Sequence, residues 1–348
     1  MNQSIVALQN YLNSHFQKSE LSVLHIGLLY NNQEYHFEIT PASKKKKEVF
    51  GLGSISKTFI STWLSKAIYD QRIDIEATID NYLSLYDKFH GPSILELATH
   101  SSGYQYFVPY QKTIPTMLMY GFNKKNIYHE LKDEWFQKYI SERKPRRLKR
   151  YRYADVNYAL LAKLIEHIEK KPFIEAMTDF IHNEMGLNET FYINNHYSLS
   201  DSYSWNWNDG NPFIASGGVF STSKDLIKYL KYQIDNKDSQ RFAHHKYVKT
   251  NNKSIYSGFS WISFEKSDYY WHIGGQGYYR SYVGFNNKRN IGVCILSTVD
   301  INVQHVGRIG SYLYKNLKRN PKLLIQFLQT YSNIKNQNEP VIYQLETT

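Results

Sequence analysis

The chain has 348 residues, with 42 Lys and Arg against 31 Asp and Glu, giving a net charge of +11. Hydrophobic residues at 42% and charged residues at 21% exclude a disordered polymer and give enough chain for one large compact unit or two intimate subdomains. One cysteine excludes an internal disulfide framework, and no stretch has the apolar length needed to span a bilayer.

The N-terminus, MNQSIVALQNYLNSHFQKSE, lacks a charged region, a long apolar region and a small-residue cleavage site in succession. As written, the protein is expected in the cytoplasm; loss of an export signal would make it extracytoplasmic. Residues 5–17 read as a short amphipathic helix with Ile5, Leu8, Tyr11 and Leu12 on one face. LSVLHIGLLY and QEYHFEIT flank Asn31-Asn32, a hairpin signal. A helical pattern runs from Ile55 to Tyr69, and residues 94–190 read as mostly helical with loops. ALLAKLIEHIEKK (159–171) is the clearest helix, and residues 196–214 form a loop. STSKDLIKYLKYQI (221–234) opens on a Ser/Thr cap. Strand patterns then return in SIYSGFSWISF, YYWHIG, SYVGFNN and NIGVCILST, with VQHVGRIGSYLYKNL as a closing helix. Cys294 lies in one of those apolar runs and is expected to pack as a small hydrophobe.

Strands at both ends around a helix-rich middle predict an α+β fold: an antiparallel β-sheet built from both termini, flanked by helices, with an inserted helical region. The expected catalytic domain is 1–318, its sheet part at about 1–55 and 250–318 and its helical part at about 56–249, with 319–348 a polar tail. The basic runs Lys44 to Lys47 and Arg143 to Arg150 lie in no nucleic-acid-binding motif and read as solvated loops, so no nucleic-acid partner is expected.

A serine hydroxyl is a weak nucleophile and needs a neighbouring base. Ser and Lys three residues apart on a helix share a face, and Ser54-Ile55-Ser56-Lys57 meets that spacing at a helix start, where free backbone N–H groups help hold an oxyanion. The spacing alone is weak evidence, because it recurs at Ser43/Lys46, Ser141/Lys144, Ser221/Lys224, Ser263/Lys266 and Ser332/Lys335. Ser54 differs in context: Gly51 and Gly53 precede it and a helix follows. HExxH, CxxC and Walker-type patterns are missing, so neither a metal nor a cofactor is expected.

Phe50-Gly-Leu-Gly-Ser-Ile-Ser-Lys-Thr-Phe-Ile resembles the nucleophile segment of the serine β-lactamase and penicillin-binding-protein superfamily, of class C β-lactamase, DD-peptidase and esterase type. Asp74 to Leu83 resembles its acidic and apolar continuation. Leu95-Glu-Leu-Ala-Thr-His-Ser-Ser-Gly103 resembles the L-L-T-H-T-S-G segment, and Tyr151 to Leu161 the Y-x-N segment. Ala215 to Leu226 resembles G-G-x-x-S-T-x-x-D-L, and Trp271-His-Ile-Gly-Gly-Gln-Gly277 the K-T-G or H-x-G strand. Six segments stand in family order over roughly residues 20–315. An S-D-N and a K-T-G triplet, which a class A β-lactamase needs, are missing.

The resemblance implies a serine hydrolase acting through an acyl-enzyme on an ester or amide of small-molecule or cell-wall-derived origin. Ser54 would be the nucleophile, Lys57 its proton partner and Tyr153 the proton shuttle. His272 would support the Tyr153 network or hold a substrate carboxylate. The N–H groups of Ser54 and Gly275 would form the oxyanion hole, with Asp155 and Gly274 at the substrate. His100 is expected to be a structural hydrogen-bonding residue. The chain departs from the pattern at Tyr153-Ala154-Asp155, where Asp stands in place of Asn. Asn donates to a substrate amide carbonyl and an ionised Asp does not. That weakens the case for amides and β-lactams and is compatible with an ester or a substrate carrying a free amine, such as a D-alanyl ester. The alternatives are a catalytically idle binding protein, a penicillin-binding DD-peptidase and a true β-lactamase.

Overall fold

A computed structural model describes residues 3–16, 23–40, 49–84, 90–104, 126–129, 131–145, 150–193, 205–208, 210–298 and 302–336. The lysine run 44–47, residues 146–149 of the second basic run and most of the loop expected at 196–214 lie outside the described residues. Helix α1 (Gln3–Phe16) leads into β1 (Leu24–Tyr30) and β2 (Gln33–Ile39), then β3 (Phe50–Gly51), a 3-10 turn at Gly53–Ile55 and α2 (Ser56–Tyr69). Then come α3 (Ile94–Ala98), α4 (Asp133–Glu142), α5 (Asp155–Glu169), α6 (Phe173–Asp179) and β4 (Phe191–Tyr192). They are followed by α7 (Ile214–Gly217), β5 (Val219–Ser221), α8 (Ser223–Asp235), α9 (Arg241–His244) and β6 (Val248–Lys249). The chain continues through β7 (Ile255–Ser257), β8 (Ile262–Phe264), β9 (Tyr269–Gln276), β10 (Tyr279–Asn286), β11 (Ile291–Ser297), α10 (Val303–Arg319) and α11 (Pro321–Asn336).

The main sheet has the order β2-β1-β11-β10-β9-β8-β7-β6, and β3-β5-β4 form a small second sheet. Both termini therefore build one antiparallel sheet, as the α+β reading expects. The β1–β2 hairpin turns at Asn31 and Asn32, whose φ values of 49° and 64° are the left-handed pair that matches strand twist. The run SIYSGFSWISF splits into β7 and β8, because Gly258 runs so close to Ala243 that a Cβ would lie 2.3 Å from its carbonyl oxygen.

Side chains alternate across the pleat. Leu24, Ile26 and Leu28 of β1, with Val293 and Ile295 of β11, join α1, α10 and α11 in one core. Leu29, Cys294, Leu296, Val283 and Phe285 face the larger core shared with α2, α5 and α8. Cys294 is fully buried, and burial pushes its thiol up to about 12, as suits a packing residue. Residues 321–336, expected within a polar tail, form a helix that buries Leu324, Phe327, Leu328 and Tyr331. Its last residue, Asn336, accepts from the Thr40 N–H at 2.9 Å and donates to the Glu38 carbonyl at 2.9 Å, tying the helix to β2. Among the described residues, no helix is long and apolar enough to cross a membrane.

Candidate active site

Strand β8 pairs with β9 only at Tyr270 and Trp271. Beyond that pairing, β9 meets the turn at Gly53–Ile55, and two glycines make the approach possible. Gly53 has φ +53°, and a Cβ there would sit 2.5 Å from the Gly275 nitrogen. A Cβ on Gly274 would sit 1.9 Å from the Leu52 carbonyl, which also accepts from Ser281 Oγ at 2.7 Å. The pleat places His272 and Gly274 toward the nucleophile turn. The expected substrate position Gly274 is thus backed against the Leu52 carbonyl, which by itself explains its lack of a side chain.

Ser54 lies in that turn, half-buried, two residues before the first residue of α2. Helix α2 is buried almost throughout, and its hydroxyls are satisfied internally. Ser56 Oγ accepts from the Val219 N–H at 3.0 Å, and Ser61 Oγ donates to the Lys57 carbonyl at 2.8 Å. Lys57, one turn on from Ser54, is fully buried. Its Nζ lies 2.6 Å from Asp155 Oδ1, 2.8 Å from the Ser216 carbonyl and 3.4 Å from Ser54 Oγ. Burial pushes the Lys57 pKa below the usual lysine value, and the Asp155 carboxylate pulls against that shift.

The Tyr153 hydroxyl donates to Ser54 Oγ at 2.8 Å. Its ring stacks on His100, with centroids 4.4 Å apart and planes 27° apart, and lies 5.0 Å from Lys57 Nζ. His100 Nδ1 accepts from the Ala154 N–H at 3.2 Å, so Nε2 carries the proton and faces Ser260 Oγ at 3.5 Å. Burial holds its pKa well below the usual histidine value, and the Lys57 charge adds to that. The expectation of a structural hydrogen-bonding residue fits these contacts, but the sequence did not connect His100 to Tyr153.

His272 Nδ1 donates to the Ile273 carbonyl at 2.8 Å. Burial, with Lys57 nearby, lowers its pKa to about 3, so the imidazole is neutral. A neutral ring does not hold a carboxylate by charge.

Asp155 opens α5, where the helix N-terminus favours its negative charge. Its Oδ1 is taken by Lys57, and its Oδ2 accepts the Tyr128 hydroxyl. Each oxygen thus carries one donor from the protein. The sequence singled out neither Tyr128 nor Ser216. Ser216 sits inside the Ala215–Leu226 segment and could have been found there; Tyr128 belongs to no motif. Among the described residues, no cluster of three or more His, Cys, Asp or Glu side chains could hold a metal ion.

Solved structures with this architecture include a class C β-lactamase in complex with cefoxitin, at TM-score 0.74 and 15% identity, covering 90% of this chain and 98% of that one. The octameric penicillin-binding protein homologue from Pyrococcus abyssi gives 0.70 at 19% identity, covering 96% of this chain and 82% of that one. A β-lactamase of Providencia stuartii is 26% identical over 216 residues, 58% of this chain and 52% of the relative. The chain therefore spans about half the length of that curated relative. The Beta-lactamase family model matches residues 28–310, a stretch that holds the nucleophile turn, the Tyr153 segment and strand β9, and the protein belongs to the beta-lactamase family.

Proposed function

We propose that the protein is a serine hydrolase that acts through an acyl-enzyme on Ser54. The observation that carries this reading is the convergence of Tyr153 Oη at 2.8 Å and Lys57 Nζ at 3.4 Å on one half-buried serine oxygen. A nucleophile, a proton partner and a group that orients that partner are the parts acyl transfer needs. As drawn, the tyrosine donates to Ser54 and the lysine points a hydrogen at it. Loss of one proton from the Tyr153–Lys57 pair turns it into a base. Ser54 Oγ then attacks the acyl carbon, its proton passes to the pair, and Tyr153 returns it to the leaving group. Water repeats the sequence to release the acid. The N–H groups of Ser54 and Gly275 are the proposed oxyanion donors.

The substrate class is an ester or amide, with an ester favoured because Asp155 cannot donate to an amide carbonyl. D-Amino-acid esters and peptides belong to the same proposal, as does β-lactam turnover of the kind named for the relatives. The test is hydrolysis of p-nitrophenyl acetate and butyrate by the wild type and Ser54→Ala, with a penicillin and a cephalosporin alongside. The proposal expects turnover by the wild type and a loss of at least about 100-fold in the variant. Equal inactivity would favour the idle binding protein, and acylation by penicillin without turnover a DD-peptidase.

A further inference from the structure

We infer that Tyr128 tunes specificity: its hydroxyl takes an acceptor site on the Asp155 oxygen that Lys57 leaves, weakening that carboxylate as a partner for substrate ammonium groups and favouring neutral esters. The inference deepens the hydrolase reading and rests on it. Asp155 brings a carboxylate within reach of Ser54, through Lys57. A carboxylate there would ordinarily select a substrate with an amine beside the acyl carbon. Here Lys57 holds Oδ1 at 2.6 Å and Tyr128 holds Oδ2. An ionised carboxyl group only accepts, so Asp155 offers no donor to an amide carbonyl, and with one donor already on each oxygen it is a weaker acceptor for an ammonium than a carboxylate with a free oxygen.

Tyr128 is built to stay in place. It is 4% exposed, and its ring stacks on Phe213 with centroids 4.5 Å apart and planes 8° apart. Trp205 meets it edge-on at 6.4 Å. Its N–H donates to Asn126 Oδ1 at 2.9 Å, and its carbonyl accepts from Asn211 Nδ2 at 2.6 Å. A tyrosine held by two rings and two amides presents its hydroxyl to Asp155 at little entropic cost. His272 adds no compensating charge, since its imidazole is neutral.

The test uses methyl butyrate and D-alanine methyl ester at pH 6, where an α-amino group of pKa about 7.7–8.0 is charged. Hydrolysis is followed by proton release for the wild type, Tyr128→Phe and Asp155→Asn. The wild type should favour methyl butyrate in kcat/KM. Tyr128→Phe, which keeps the ring stack, frees Oδ2 and should raise the ratio of D-alanine ester to butyrate by about tenfold, the effect of one charge-assisted hydrogen bond. Asp155→Asn should not show that gain. A purely structural role for Tyr128 would lower both substrates together and leave the ratio fixed. An unchanged ratio, or a wild type that prefers the D-alanine ester, overturns the inference while Ser54-dependent turnover preserves the hydrolase reading. If no ester is turned over through Ser54, that reading fails and the inference falls with it.

Discussion

Lys57 has three ammonium hydrogens and three oxygens placed to receive them: those of Asp155, Ser216 and Ser54. The arrangement ties the lysine to a carboxylate, and in the proposed mechanism the tyrosine is the more mobile proton carrier. Tyr153→Phe removes the hydroxyl but keeps the stack on His100, and should lower kcat by about 100- to 10,000-fold, the usual range for a general acid–base group, with little change in melting temperature. An activity loss that tracks unfolding would instead assign Tyr153 a packing role. Much of this centre was legible in the chain: Ser54, Lys57 and Tyr153 sit in ordered motifs, and folding brings them within hydrogen-bonding reach. Tyr128 was not, because its relation to Asp155 is set by Phe213 and Asn211, which come from a distant stretch, together with the local Asn126 amide.

At the scale of elements, the nucleophile turn depends on how closely β9 approaches it. Gly274→Ala would press a methyl group into the Leu52 carbonyl, 1.9 Å from the new Cβ. Main-chain atoms cannot swing aside as a flexible side chain does, so β9 and the turn must separate. The variant should lose activity on every ester and melt earlier, as calorimetry and steady-state rates would show; wild-type values for both would mean the turn is not braced by β9. Helix α11 makes the complementary case. The polar composition of its stretch pointed to a tail, yet Leu324, Phe327, Leu328 and Tyr331 recur at helical spacing behind Pro321, a residue suited to a first helical position. Leu328 is fully buried. Leu328→Ala should therefore destabilise the protein by about 2–5 kcal/mol in denaturant titrations; no change would show that α11 is not part of the folded core.

For the whole molecule, one sheet separates two cores, and neutral histidines are enclosed on its active-site side. Strand alternation and the Asn31-Asn32 turn made the sheet readable from sequence, whereas the enclosure of polar groups depends on packing between segments far apart in the chain. His244 and His272 both have pKa values lowered to about 3 by burial, against an ordinary value of 6.5. Between those values the unfolded chain binds more protons than the folded one, so stability falls as pH drops below about 6.5, by up to about 1.4 kcal/mol per pH unit for each histidine. His244 lies outside the active site, with Nε2 3.0 Å from Gln233 Oε1. His244→Gln should flatten the dependence of stability on pH between 6.5 and 4 in urea titrations; an unaltered slope would show that His244 is not held neutral in the fold.

The central claim is that Ser54 carries the acyl group, and the most direct measurement is the intact mass of the protein quenched in acid during turnover of p-nitrophenyl butyrate. The wild type should gain one butyryl group, located by peptide mapping on the segment that contains Ser54, and Ser54→Ala should gain none. A butyryl group retained by Ser54→Ala, or turnover by the wild type with no adduct in the pre-steady-state phase of a slow-deacylating ester, would contradict it.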